Sequence, residues 1–269
     1  MPNHNHLFRK TANKILPTLS AVALLLGPAS VLAGPPSGEW QLKFSDDFNG
    51  TSLNESNWGT CYFWATDSEG CSNGGAGELQ WFERDNVSVN NGTLRLSAQK
   101  QKSNGKQYTS GMVSSYKSFA FQYGYVEMRA KIPKGNGLWP NFWLLPKDKT
   151  WPPELDIAEF VGSNTTNVHM SLHYDDGKGH TNSTGWWGGK EGMDFSKGYH
   201  TYAVQWDPDK IIWYVDGVER RRYTGAMIPD KPMYVVANLP VAPAWTVPPD
   251  SSTPFPSTFD IDYIKVWQR

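Results

Sequence analysis

Apolar and polar residues alternate with a period of two along most of the chain. The alternation is clearest in Thr93–Ala98, Tyr125–Ile132 and Phe259–Trp267. Residues two apart in a strand point to the same face, so each segment predicts a strand with one buried and one polar face. From His200 to Tyr223 the pattern predicts two hairpins in series, and Asp216-Gly217 is typical of a type I′ turn in the second hairpin.

The spacing of these strands predicts the fold class. After residue 33 no window has a convincing helical period, and no linker or tandem repeat divides the chain. The chain has 25 glycines and 19 prolines, residue types that favour turns between short strands. Strands separated by turns about every 8–12 residues indicate an all-β protein that folds as a single antiparallel sandwich.

The composition narrows the possible function classes. With 14% aromatic and 19% charged residues, the chain is too apolar for a disordered protein. Its formal net charge of −1 gives no field that would attract a nucleic acid, so no nucleic-acid partner is expected. The 13 tryptophans are more than a core of this size needs, and we expect some of them to contact a ligand.

The first 33 residues have the pattern of a secretory signal peptide. Residues 1–14 hold three lysines or arginines and no acid, Ile15–Leu26 is a short apolar run, and Ala33 ends a small-residue cleavage site. The run is shorter than the roughly 20 residues of a membrane span, although an uncleaved anchor remains the alternative. We therefore expect residues 34–269 to form a single exported domain, extracellular or periplasmic, which has no membrane attachment after cleavage.

The two cysteines fit an exported protein. Cys61 and Cys71 lie ten residues apart in a stretch rich in glycine, serine and asparagine. Two thiols outside the cell most often form a disulfide, which is the prediction here, with two free thiols as the alternative. A metal site is not indicated, because neither a histidine nor a further cysteine lies near the pair in sequence.

Three acids lie within six positions, in the segment Glu154-Leu155-Asp156-Ile157-Ala158-Glu159. In a strand Glu154 and Asp156 share a face, whereas Glu159 is five residues after Glu154 and would point to the opposite face. One extra residue in the strand, a β-bulge at Ala158, would bring all three carboxylates onto one face. The sequence therefore predicts a row of three carboxylates on a bulged strand.

A row of carboxylates suits the hydrolysis of a glycosidic bond. Two carboxyls about 5–5.5 Å apart act as the nucleophile and the acid/base of a retaining glycosidase. A solvated acidic strand face and a Ca²⁺ site built from clustered acids are the alternatives. Trp139, Asn141 and Trp143 would share one face of the extended segment just upstream, and Trp151 lies next to the acids. Indole faces stack on the C–H faces of sugar rings, so these tryptophans favour the glycosidase interpretation.

The six-residue acidic segment resembles the E-x-D-x-x-E signature of glycoside hydrolase family 16, in the bulged form of its laminarinase-type branch. Other segments resemble family motifs in family order, so the resemblance covers essentially the whole chain after residue 33. These segments are Phe44–Gly50, Glu78–Trp81, Tyr108–Gly111, Tyr123–Arg129, Gly137–Pro140, Trp206–Gly217 and Asp262–Val266.

The resemblance implies a fold and an activity. The fold would be a concanavalin A-like β-jelly-roll sandwich, with residues 34–269 as one catalytic domain and an open substrate cleft on its concave face. The activity would be that of a secreted endo-β-glucanase that cleaves β-1,3- or mixed-linkage β-1,3/1,4-glucan with retention. Glu154 would be the nucleophile, Glu159 the general acid/base and Asp156 an assisting carboxylate. The polysaccharide would be the partner of a monomer, and no cofactor would be needed for catalysis.

The resemblance also implies binding residues and a metal site. The implied substrate-binding residues are Trp139, Trp143, Trp151, Asn86, Arg129 and His173. For His173 a buried sandwich histidine is the alternative. Family members often hold a structural Ca²⁺, and the matching positions here are Asp262, Asp47 and the carbonyl of Gly92. Asp262 could equally be an ordinary acid at a strand end.

Two stretches depart from the family pattern and leave the substrate open. Asn238–Pro243 differs from the usual Asn-Leu-Ala-Val-Gly-Gly, and Asp175–Gly189, with Trp186 and Trp187, has no counterpart that can be assigned. An endo-hydrolase of another polysaccharide, a galactan or a bacterial exopolysaccharide, is therefore one alternative. A β-glucan-binding protein without activity is the other, although binding alone would not need the three acids.

Overall fold

The computed structural model describes residues 1–2, 34–63, 71–242 and 245–269. The predicted signal peptide, apart from its first two residues, lies outside the described residues. Among the described residues, no helix has the length and apolar character needed to cross a membrane.

Strands dominate the described part of the chain, as the alternation of apolar and polar residues predicts. Two short 3₁₀ helices there span Gly74–Ala76 and Arg84–Asn86. The strands are β1 (Gln41–Asp46), β2 (Gln80–Phe82), β3 (Val87–Asn90), β4 (Thr93–Ala98), β5 (Tyr108–Ser110), β6 (Met112–Ser114), β7 (Gly124–Lys131), β8 (Asn141–Pro146), β9 (Glu154–Val161), β10 (Asn164–Asp175), β11 (His180–Gly188), β12 (His200–Asp207), β13 (Lys210–Val215), β14 (Val218–Tyr223), β15 (Met233–Asn238) and β16 (Ser257–Gln268).

The strands form two large antiparallel sheets. The eight-stranded sheet has the order β14-β13-β12-β7-β16-β4-β3, and β1 also pairs with β16. The six-stranded sheet has the order β11-β10-β9-β8-β15-β6, and a small parallel pair joins β2 to β5. The predicted hairpins are β12–β13 and β13–β14, and Asp216 and Gly217 both have the positive φ, 51° and 72°, that a type I′ turn requires. The prediction of an all-β antiparallel jelly-roll sandwich is confirmed.

The main core lies between the two large sheets. From the eight-stranded sheet Val126 and Met128 of β7 are fully buried, and from the six-stranded sheet Leu155 and Phe160 of β9 are fully buried. Burying a side chain of this size stabilises the fold by roughly 1.5–3 kcal/mol. The indole N–H of Trp213 on β13 also donates to the carbonyl of Asp156 on β9, at 2.8 Å, so a hydrogen bond links the sheets directly behind the acidic row.

A second, smaller apolar cluster lies on the outer face of the six-stranded sheet. It contains Tyr62, Cys71, Phe82, Met112, Trp143, Leu145, Tyr234 and Val236. The predicted disulfide between Cys61 and Cys71 is confirmed, with the two Cα atoms 4.8 Å apart, and Cys71 belongs to this cluster. The three predicted acids lie on the outer face of the same sheet, on β9.

Candidate active site

The predicted bulge in β9 is present. Between Asp156 and Glu159 strand β9 advances by three residues while its neighbour β10 advances by two, so β9 holds one extra residue. Against β8 the unmatched residue is Ile157, because Ala158 keeps a partner there, so the extra residue is one position earlier than predicted. The bulge restores the alternation of the strand and returns Glu159 to the face that carries Glu154 and Asp156.

Glu154 and Asp156 share a histidine and an indole as neighbours. The indole N–H of Trp151 donates to Glu154 Oε2 at 2.7 Å. His173 Nε2 lies 3.2 Å from Asp156 Oδ2 and 4.0 Å from Glu154 Oε1. Burial, and then the charge of Glu154, raise the pKa of Asp156 well above its usual range. A protonated Asp156 can donate a hydrogen bond to Glu154.

The surroundings of Glu159 favour its protonated form. Burial, followed by the nearby charges of Asp156 and Glu154, raises the pKa of Glu159 well above its usual range, while His173 and Trp139 act in the opposite direction. A carboxyl that keeps its proton near neutral pH can serve as a general acid. The row therefore contains one carboxylate suited to attack and one carboxylic acid suited to donate a proton.

The three predicted tryptophans lie around this row. Trp139 and Trp143 line a cavity of about 80 Å³ together with the three acids and Asn141. The hollow on the Glu154 side, about 720 Å³, is lined by Trp143 and by Trp151, which is 53% exposed. The hollow on the Glu159 side, about 310 Å³, is lined by Trp139. The cleft thus extends to both sides of the acids, with indole rings on each side.

The Glu159 side also holds residues that the sequence did not predict. Trp245, which follows the proline-rich departure from the family pattern, packs edge to face against Trp139 and against His169, at ring-centroid distances of 5.7 and 4.9 Å. Trp245 and His169 both line the hollow on this side. A tryptophan in an otherwise proline-rich loop was a signal of packing, but only the folded chain places it in the cleft.

On the Glu154 side His180 completes the surroundings of His173. The ring of His180 lies 4.6 Å from that of Trp151, and its Nε2 atom is 2.9 Å from His173 Nδ1. His173 therefore contacts the acids with one nitrogen and His180 with the other, which places it in the site as predicted. His180 lies seven residues after His173, at the start of β11, and no sequence spacing indicated this contact.

The unassigned segment Asp175–Gly189 forms most of β11, the edge strand of the six-stranded sheet. Trp186 lies opposite His169, which in turn lies opposite Glu159, so Trp186 continues the row of Glu159 across the sheet. Its side chain is 62% exposed. Trp187 points to the other face, where the guanidinium of Arg220 lies 3.8 Å from its ring centroid. The two adjacent tryptophans therefore have different roles.

Two predicted sugar-binding residues lie elsewhere. Arg129 belongs to β7 of the eight-stranded sheet, where it bonds Asp262 at 2.6 Å, so the prediction that it faces the cleft is wrong. Asn86 is buried and donates to the carbonyl of Ser97 at 2.7 Å, which engages its amide within the other sheet. The family resemblance implied cleft-facing positions for both residues, but Asn86 lies in the short 3₁₀ helix before β3 and Arg129 lies in the other sheet.

The predicted calcium set does not fit the ion in this structure. The carboxylate of Asp262 is paired with Arg129, and that of Asp47 is paired with Lys265 at 2.6 Å. Ca²⁺ needs six to eight oxygen ligands, and both carboxylates that would accompany the Gly92 carbonyl are already bound by cations. We derive no role for calcium from these residues.

One group of side chains in the described residues has the geometry to bind a metal ion. It consists of Glu154, Asp156 and His173, whose ligand atoms lie within 4.8 Å of one another. Only two of these three groups offer oxygen atoms and the third is an imidazole nitrogen, whereas Ca²⁺ takes six to eight oxygen ligands. The arrangement therefore favours the glycosidase interpretation of the acids over the calcium alternative.

The chain is similar to known glycosidases along most of its length. The model of glycosyl hydrolases family 16 matches residues 78–265, which include all three acids. The endo-1,3-1,4-beta-glycanases EglC and ExsH of Rhizobium meliloti (strain 1021) are 34% and 35% identical to this chain over 242 residues. Each match covers 83% of this chain and 51% of the relative. The chain spans about half the length of these curated relatives.

A solved structure matches the fold more completely. The endo-beta-1,3-glucanase from Pyrococcus furiosus is 33% identical to this chain, with a TM-score of 0.75. The match covers 85% of this chain and 94% of that structure. The similarity therefore extends over both sheets and the cleft.

Proposed function

The chain belongs to glycosyl hydrolase family 16, in its laminarinase-type branch, and from this premise we propose that it is a retaining endo-β-glucanase. Its substrate would be β-1,3-glucan or mixed-linkage β-1,3/1,4-glucan, cleaved by double displacement. The observation that carries the proposal is the bulged strand β9, which places a carboxylate and a protonated carboxyl, Glu154 and Glu159, on one face between two aromatic hollows.

The first displacement transfers the sugar to the protein. A carboxylate oxygen of Glu154 attacks the anomeric carbon, and the bond from that carbon to the glycosidic oxygen breaks. Glu159 gives its proton to the leaving oxygen. The hydrogen bond from Trp151 to Glu154 fixes the nucleophile, and His173 and Asp156 lie on its other side.

The second displacement releases the sugar. Glu159, now ionised, takes a proton from a water molecule, whose oxygen attacks the anomeric carbon. The bond to Glu154 breaks and both carboxyls return to their starting states. Two inversions at one carbon give net retention of the β configuration.

The polysaccharide class is proposed from the cleft and from the relatives. The indoles of Trp139, Trp143 and Trp151 and the open hollows on both sides of the acids suit an extended chain of sugars cut in its interior. EglC and ExsH are named as 1,3-1,4-beta-glycanases and the Pyrococcus furiosus protein as a 1,3-glucanase, and these linkages are the first to test.

We also propose that the protein is exported as a monomer. The signal-peptide pattern of residues 1–33 and the disulfide between Cys61 and Cys71 support an oxidising compartment outside the cytoplasm. Cell fractionation of the source organism, with sizing of the purified chain, tests both statements. Protein retained in the cytoplasm, or a dimer at working concentration, would contradict them.

The activity is tested on a panel of purified polysaccharides. Laminarin, lichenan and barley glucan should release reducing ends and oligosaccharides of several lengths, while agarose and carrageenan represent the alternative substrates. NMR of the first product should show the β-anomer, and an α-anomer would contradict retention. If no polysaccharide is cut but laminarin is still bound, the protein is a glucan-binding protein and the proposal fails.

A further inference from the structure

A fourth carboxyl lies beside the cleft and has no part in the two displacements. Glu78 is 3% exposed and lines the same cavity of about 80 Å³ as Glu154, Asp156 and Glu159. It belongs to the segment Glu78–Trp81, whose resemblance to a family motif carried no functional role in the sequence. Burying a carboxylate is unfavourable unless hydrogen bonds compensate, so its surroundings call for an explanation.

Hydrogen bonds converge on both oxygens of this carboxylate. The hydroxyl of Tyr62 donates to Oε1 at 2.7 Å. The backbone N–H of Asn73 and the side-chain amide of Gln80 donate to Oε2 at 2.6 and 2.9 Å. All three neighbours are donors, so their hydrogen bonds favour the ionised form of the carboxylate.

The series of hydrogen bonds continues from Tyr62 to the floor of the cleft. Asn238 donates its amide N–H to the Tyr62 hydroxyl at 3.1 Å, and its Oδ1 atom accepts the indole N–H of Trp143 at 3.0 Å. Every bond in the series therefore points the same way, from the indole through the amide and the phenol to Glu78. The direction of each bond fixes the next, because an amide and a hydroxyl can each donate on one side only while accepting on the other.

We propose that Glu78 is a positioning residue, which in its ionised form fixes the indole of Trp143 in the sugar-binding floor of the cleft through Tyr62 and Asn238. This inference rests on the proposed function for the identity of the ligand, a β-linked sugar chain. Trp143 is only 8% exposed, but it lines the cavity beside the acids and lies opposite Asp156 in the sheet, so a change in its orientation alters the shape of the floor there.

The charge state of Glu78 offers a direct readout. Burial raises its pKa to about 7, against the lowering effects of the bonds from Tyr62, Asn73 and Gln80 and of the charge on Lys106. Below that pH Glu78 is mostly protonated, so one of its oxygens becomes a hydrogen-bond donor that faces other donors. Among the described residues, the titratable groups that face it are Tyr62, Lys106 and the three acids that line the same cavity. Trp143 should therefore sense a titration near neutral pH that has its origin at Glu78.

The chain provides a matched control. Glu127 on β7 is also buried, accepts hydroxyl bonds from Tyr125 and Tyr263 at 2.9 and 2.7 Å, and has its pKa raised by burial. It lies in the eight-stranded sheet, and none of its hydrogen bonds leads to the cleft. Glu127→Gln thus reproduces the loss of a buried charge between tyrosines without touching the series that ends at Trp143.

The first experiment follows the indole N–H signals by NMR in the intact protein. The signal of Trp143 is identified as the one that Trp143→Phe removes. In the wild type this signal should shift with pH with a midpoint near 7, and Glu78→Gln should abolish the titration while Glu127→Gln leaves it in place. A Trp143 signal that does not respond to pH, or that responds equally in Glu78→Gln, would overturn the proposal whether or not the protein hydrolyses glucan.

The second experiment measures kinetics on laminarin at pH 8, where Glu78 is mostly ionised. Glutamine has one acceptor oxygen in place of two, so its NH₂ group must face either Tyr62 or the donors Asn73 and Gln80. Glu78→Gln should lower kcat/KM about tenfold, because hydrogen bonds to a charged group contribute about this factor. Most of the change should be an increase in KM, since Trp143 binds the substrate without taking part in the reaction. Glu127→Gln should keep both constants.

A third variant keeps the test valid if Glu78→Gln folds poorly. Tyr62→Phe interrupts the same series one step later, and the double variant with Glu78→Gln should lose no more than the larger single loss, because both break one connected chain. Losses that multiply, or a kcat/KM within twofold of wild type in a folded Tyr62→Phe variant, would show that Glu78 does not act through Tyr62.

Discussion

The acids on the outer faces of the two sheets have different charged neighbours. On the eight-stranded sheet Asp260 lies between Arg95 and Lys131, at 2.9 and 3.4 Å, and Asp262 is paired with Arg129. On the six-stranded sheet no lysine or arginine nitrogen in the described residues lies within 4 Å of the carboxylates of Glu154, Asp156 and Glu159. His173 is the basic neighbour of that row.

A stable face and a reactive face need different electrostatic surroundings for their acids. Opposite charges placed across strands are mutually favourable, and like charges are not. The cleft row has unmatched acids in a buried setting, and this raises the pKa values of Asp156 and Glu159. Stability is lower than it would be with matched charges, and in exchange the protein keeps a proton donor beside a nucleophile at neutral pH.

The largest expected effect comes from removing the nucleophile. Glu154→Gln should lower hydrolysis of glucan by at least about 10⁴-fold, the scale seen when a nucleophile is lost. The same variant should melt no lower than the wild type, because it removes the charge that disfavours ionisation of Asp156 and Glu159. Activity assays with thermal denaturation check both, and substantial residual activity would contradict the nucleophile assignment. Binding of oligosaccharides should be retained, as isothermal titration would show.

Loss of the proton donor should have the next largest effect. Glu159→Gln should reduce glucan hydrolysis by about 10²–10⁴-fold, the usual contribution of general acid catalysis. The first displacement should be nearly unaffected for an aryl glycoside whose leaving group needs no proton.

The pH dependence of glucan hydrolysis tests whether Glu159 is the proton donor. Its raised pKa keeps the proton present to higher pH, so wild-type activity should fall as the pH rises through that pKa. The alkaline fall should be missing from the residual activity of Glu159→Gln. An unchanged alkaline limb in the variant would assign the proton donor to another group.

A moderate effect is expected at the edge strand β11. Trp186 lies in the row of Glu159 and His169 and is exposed, so it can stack a sugar far from the bond that breaks. Trp186→Ala should raise KM about fivefold for long glucans, the scale of one aromatic stacking contact, and leave a short oligosaccharide unaffected. Equal effects on long and short substrates would indicate a structural role.

The smallest effect is expected on the matched face. Asp260→Asn removes one charge between Arg95 and Lys131, which are both partly exposed and can be solvated. The free energy of unfolding should fall by about 1 kcal/mol, with kcat and KM unchanged. A loss of activity without loss of stability would mean that the two faces are more closely coupled than their charge patterns indicate.

Much of the fold and of the reacting groups could be predicted from sequence. Period-two alternation depends only on neighbouring residues, so it was sufficient to predict the strands β4, β7 and β16 and the hairpins from β12 to β14. The three acids and their bulge followed from parity along one strand. Alternation correctly gave Arg129 a polar strand face, but the cleft position implied by the family resemblance was wrong, because alternation does not say which sheet a face belongs to.

Other features of the site depend on contacts between distant segments. Trp245 meets Trp139 only because the loop before β16 folds back over the sheet, and the path from Trp143 to Glu78 joins residues up to 176 positions apart. No local pattern records such pairs. The buried setting that raises the pKa values of Asp156 and Glu159 likewise arises from the whole sandwich.

Residue types and their local spacing were therefore sufficient to predict the strand pattern, the disulfide and the three acids. The pairing of acids with cations, the tryptophans that face the cleft and the hydrogen bonds of the buried Glu78 became visible only in the folded chain. Charge pairing, burial and hydrogen-bond direction depend on the surroundings of a side chain, and those surroundings form only when the two sheets pack.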